Sequence, residues 1–127
     1  NVVNNLVYTL AQSEATLERA KRLLPFLLKK GGTSAAVLDT AAIVSLKGRN
    51  LEEARVYMNQ ALKLLQGNDL FAEEVMVNAA ELKLKTGDGR GAKADLEAMK
   101  KKGIKSGFVD SRAAELIRDA EAIVGGK

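Results

Sequence analysis

The side chains that most often do chemistry are scarce in this chain. It contains no His and no Cys. The commonest general base, the commonest transition-metal ligand, the thiolate nucleophile and the disulfide are therefore all missing. Carboxylates, amines and one glycine-rich turn remain. Acids group at Glu52–Glu53, at Glu73–Glu74 and in the set Asp110, Glu115, Asp119. Acid–base catalysis needs a partner group in a cleft, which the sequence does not supply. Adjacent acids in a first helical turn complement the helix dipole instead. Asp88, Asp95 and Glu97 lack calcium-loop spacing. The stretch GDGRGAK (87–93) invites an anion on backbone N–H groups at a helix start, but it fits neither GxxxxGK[ST] nor GxGxxG and no strand precedes it. It reads as a turn between helices. No catalytic residue, metal ligand, cofactor or small-molecule substrate is expected.

Lys93, Lys100, Lys101, Lys102 and Lys105 form a basic run in a chain of net charge +4. Such a run can meet nucleic acid or an anionic surface. The plainer reading is a solvated face whose cations favour a helix C-terminus. No aromatic interleaves with the lysines, which argues against a single-strand stacking platform. No apolar run approaches the roughly 20 residues that cross a bilayer. Compartment, whether cytoplasm or cell envelope, stays open.

The 127 residues suit one domain over 1–127, able to bury about two thirds of the unfolded surface. Apolar residues make up 46%, charged residues 28% and aromatics 4%. Dominance of Ala and Leu favours helix. A shift of 34 lays TLERAKRLLPFLLK (16–29) over NLEEARVYMNQALK (50–63), matching Leu17 with Leu51, Ala20 with Ala54 and Leu28 with Leu62. A shift of 38 lays VLDTAAIVSLK (37–47) over VMVNAAELKLK (75–85), with about four extra residues around Gln66–Leu70. Helix starts are marked at Ser34, at Asn50 with Glu53 as a capping box, at Asp88 and at Asp110. Gly31–Gly32, Gly48, Gly67 and Gly87 mark ends, where a left-handed residue is easiest for Gly. Helices are expected near 2–12, 16–30, 34–47, 51–66, 70–86, 90–102 and 109–124, with no strand. Pro25 should kink or shorten its helix.

The pattern resembles the tetratricopeptide repeat over residues 1 to about 103, and the segment VLDTAAIVSLKGRNLEEA is similar to units of bacterial members. The family's small residue in the first helix is matched by Ala42 and Ala80, with the bulkier Val7 in the first unit. Ala20, Ala54 and Ala92 match the one opening the second helix, and Leu24, Met58 and Leu96 match the large apolar residue one turn on. The resemblance implies an all-α, right-handed α-solenoid. Its repeats would span about 1–33, 34–67 and 70–103, followed by a C-terminal capping helix at about 109–124. That last helix carries Ala113, Leu116, Ile117, Ala120 and Ile123 at helical spacing, with Arg112, Glu115, Arg118 and Asp119 elsewhere. Val2, Val3, Leu6, Val7 and Leu10 wrap more than one face of the first helix. With Asn1 in place of Met, this leads to the expectation that the chain is part of a longer array. The bare first helix is also a route to self-association.

In that family the first helix of each unit lines a concave groove that takes a peptide or helix from a partner protein. Carried over, this names Asn4 and Tyr8 from the first unit, Asp39, Ile43 and Lys47 from the second, and Val77, Glu81 and Lys85 from the third. Tyr8 is the expected anchor. The competing reading places Tyr8 and Ile43 in the core, since core and groove differ by one residue of helical register. Glu74, Asn78 and Thr40 stand where some chaperone-tail receptors carry cations, which argues against that ligand. The expected function is a protein-interaction scaffold. The alternatives are a regulatory or docking module of a larger enzyme, and nucleic-acid binding through Lys93–Lys105.

Overall fold

The computed structural model describes residues 2–31, 34–65 and 71–125. Those residues form seven helices and no strand: α1 (Val2–Ala11), α2 (Leu17–Gly31), α3 (Ala35–Lys47), α4 (Leu51–Leu64), α5 (Ala72–Lys85), α6 (Gly89–Lys102) and α7 (Gly107–Gly125). Each lies within about three residues of its expected bounds. The chain packs as two compact units, Asn1–Asp69 and Leu70–Lys127. The end signals at Gly32 and Gly67, and the insertion at 66–70, lie outside the described residues.

In the first unit α1 pairs with α2, and α3 packs against α1, α2 and α4. Ala35 and every residue from Val37 to Leu46 are buried, so α3 has apolar contact around its whole circumference. The helices about it are amphipathic. α2 buries Ala20, Leu24 and Leu27 and faces its charges outward, and α4 buries Ala54, Met58 and Ala61. Ala20 and Ala54 are wholly inaccessible, as close helix crossings require. The expected kink region stays helical: α2 runs unbroken through Pro25. On α1, Val7 and Leu10 are buried while Val2 and Leu6 are exposed.

Short-range capping sets the ends. Ser34 Oγ accepts from Val37 N–H, Asn50 Oδ1 from Glu53 N–H and Asp88 Oδ1 from Gly91 N–H. The reciprocal half of the capping box is not made. The Asn50 N–H donates to the Ser45 carbonyl, and the Glu53 carboxylate accepts instead from Ser45 Oγ at 2.8 Å and Asn50 Nδ2 at 3.3 Å. Gly48 has φ −80°, and the left-handed residue of that turn is Arg49 at φ 65°. Gly87 does adopt the left-handed geometry, at φ 95°. The final helix starts earlier than Asp110: Ser106 Oγ accepts from Val109 N–H.

In the second unit α5 and α6 form a hairpin, and α7 packs against both. Val77, Ala80, Leu84, Ala92, Leu96, Met99, Val109, Ala113, Leu116 and Ala120 make its core, with Ile104 and Ile117 packed alongside. Ile123, expected on the apolar face, is half exposed. The α6–α7 loop is tied down by Glu73 in the first turn of α5. Its carboxylate accepts the backbone N–H groups of Lys105 at 2.7 Å and Ser106 at 3.1 Å.

Two predictions follow from this packing. Leucine at position 54 has no room against α3, so Ala54→Leu should lose about 1–3 kcal/mol in urea denaturation. Unchanged stability would mean that the α3–α4 crossing is looser than the burial implies. The second concerns Glu73. The N–H donors of Lys105, then Ser106, hold its carboxyl below the usual range. A depressed folded pKa stabilises above the unfolded value of about 4.3, and the gain disappears as pH falls through the folded value. Glu73→Gln should therefore lower the melting temperature at neutral pH, and the two melting curves should converge in acid. A gap that persists in strong acid would show that the ionised carboxylate is not what grips the loop.

Candidate partner-binding surfaces

The residues expected to line a groove divide by burial. On α1, Asn4 and Tyr8 sit one turn apart and are half-buried. Asp39, Ile43 and Lys47 follow at helical spacing along α3, but Asp39 and Ile43 are buried and only Lys47, in the last turn, is exposed. Neither buried residue offers a surface to a ligand. Val77 is 0% exposed and belongs to the core of the second unit. Helical register is the physical reason: on α5 the exposed apolar neighbour is Met76, one residue away.

Glu81 and Lys85 are brought together, in a pocket of about 170 Å³ that Leu84, Arg112, Glu115, Leu116 and Asp119 complete. This is below the roughly 300 Å³ at which small-molecule sites begin. Its wall is a contact within the chain. Arg112 of α7 donates through Nη1 to Asn78 Oδ1 at 2.8 Å and through Nη2 to Glu81 Oε1. The Arg112 and Glu81 side chains are 20% and 12% exposed. A planar guanidinium suits this work, because its fork reaches two acceptors at once. In the sequence Arg112 stands apart from the apolar positions of the last helix. Its acceptors lie 34 and 31 residues away, so no local signal could have revealed the contact.

No protein-family model, curated protein or solved structure matches the chain.

Parts of the other constellations take structural roles. In the glycine-rich turn the Gly91 N–H, which an anion would need, is taken by the Asp88 carboxylate. In the basic run Lys93 pairs with Glu121 at 3.3 Å and Lys100 lies 4.0 Å from Asp110, both across to α7. Lys101, Lys102 and Lys105 are exposed. Among the described residues no group of three His, Cys, Asp or Glu could hold a metal ion, and no helix is long and apolar enough to cross a membrane.

Arg112→Ala should destabilise the protein by about 2–3 kcal/mol in chemical denaturation, the scale of hydrogen bonds between charged groups. Arg112→Lys should restore only part of the loss, because an ammonium cannot reproduce the forked geometry. Full recovery by lysine would reduce the contact to charge alone.

Proposed function

We propose that the chain is a protein-interaction module: helical hairpins of tetratricopeptide type stacked as a right-handed solenoid, with α7 capping the last. On this reading the first helix of a hairpin receives a helix or peptide from a partner. One observation carries the proposal. The α5 face receives α7 with an apolar strip (Val77 and Ala80 against Ala113 and Leu116) flanked by the Arg112 fork on Asn78 and Glu81. That is the anatomy of helix-in-groove recognition, an apolar core beside a few directed polar bonds. In the first unit, Asn4, Tyr8 and Lys47 are the groove candidates with accessible surface. Tyr8 supplies an aromatic anchor and Lys47 a charge that selects the sign of the ligand.

The test is affinity capture from the native organism's lysate, comparing the wild type with Tyr8→Ala/Lys47→Glu. The variant leaves Ile43 intact, since a carboxylate placed at that buried position would unfold the helix bundle. A partner retained by the wild type and lost by a variant with an unchanged helical spectrum is the expected outcome. Equal capture by both proteins would sink the groove assignment.

A further inference from the structure

A second opening lies in the first unit, between α2 and α4, away from the residues assigned to the groove. It has a volume of about 480 Å³ and is lined by Lys21, Leu24, Pro25, Leu28, Val44, Ser45, Gly48, Asn50, Glu53 and Tyr57. That is within the roughly 300–1,000 Å³ of ligand sites, and it combines a largely apolar wall with few polar groups. We propose that this pocket receives a lysine or arginine side chain from a partner segment, its head on the Glu53 carboxylate and its stem along Leu24, Pro25 and Leu28.

Charge is the first argument. Glu53 is pinned by Ser45 Oγ and Asn50 Nδ2, each bonded to a different carboxylate oxygen. Each oxygen keeps acceptor capacity for a further donor. Among the described residues no cation pairs with it. The nearest candidate on the pocket wall, Lys21, is drawn to Glu18 at 3.1 Å instead. Tyr57 has its pKa raised by burial and by the charge of Glu53. It stays neutral and presents a ring face and a hydroxyl, both suited to a cation.

Shape is the second. Pro25, which lacks an N–H, contributes its apolar ring to the wall beside Leu24 and Leu28. The Lys21 side chain lies against Gly48, where a Cβ would stand 2.8 Å from Lys21 Cε. An acid at one end and an apolar wall along the rest match a charged head on a hydrocarbon stem. The occupant is taken to be a side chain rather than a free amine because of the partner-binding reading, on which this inference rests in that respect alone.

The experiment is an NMR titration of the intact chain with short acetylated amide peptides differing only in the central residue: Lys, Arg, norleucine or Glu. Lys and Arg peptides should shift the Ser45, Gly48 and Tyr57 signals and bind about tenfold more tightly than norleucine, which keeps the stem but lacks the charged head. Glu53→Gln should remove that tenfold advantage, and Glu52→Gln, outside the pocket lining, should not. Lys21→Met should leave the affinity for the Lys peptide equal or higher. Equal binding of Lys and norleucine peptides in the wild type would overturn the proposal without recourse to any variant. So would preference for the Glu peptide, or weaker Lys binding in Lys21→Met. Binding of n-butylammonium as tight as that of the Lys peptide would overturn the assignment to a partner's side chain. The pocket and the groove fail separately, since Tyr8→Ala/Lys47→Glu should leave the peptide shifts at Gly48 unchanged.

Discussion

A helix buried around its whole circumference must be enclosed before it is stable, and α3 sets that requirement for the first unit. Ten consecutive residues, Val37 to Leu46, lie inside, so every polar group among them needs an internal partner. Thr40 Oγ1 donates back to the Ala36 carbonyl at 3.1 Å, and Ser45 Oγ donates forward to Glu53. The second bond does two jobs. It satisfies a buried hydroxyl, and it aims a carboxylate of α4 toward the opening beside α2. The small residues follow from the same demand: Ala20 and Ala54 let the neighbouring helices approach a rod that has no outward side.

The second unit answers a different problem. Two helices cannot bury their own apolar stripe, and α7 supplies the missing surface. It is secured at both ends and in the middle. Glu73 grips the loop that precedes it, Arg112 forks onto α5, and the methyl groups of Val124 close on Gly89 at the start of α6, where a Cβ would lie 3.4 Å from Val124 Cγ2.

Local structure was legible in the sequence because its causes are local. Three caps were identifiable from one residue type and a three-residue offset, and Gly87 from the turn it permits. The tetratricopeptide resemblance implied small residues at Ala20, Ala54 and Ala92, and all three are buried. What stayed hidden was non-local or hung on a single step of register. Glu53 and Glu73 looked like dipole partners of their helices, yet Glu53 also accepts from Ser45, 8 residues away, and the donors to Glu73 lie 32–33 residues away. Arg112 looked solvated for the same reason. Val77 and Ile43 are buried, at positions where core and groove differ by one residue of helical register. Pro25 did not shorten its helix, which continues past it to Gly31.

The attachment of α7 has a consequence for competition. Only the residues 103–106 separate it from α6, so it acts on the α5 face as a tethered ligand. A short tether gives such a ligand an effective concentration in about the millimolar range. An outside helix offering similar contacts to Asn78 and Glu81 starts at a disadvantage of that size and gains nothing by matching α7. The α5 face therefore admits a foreign segment only when the tether's advantage is cancelled.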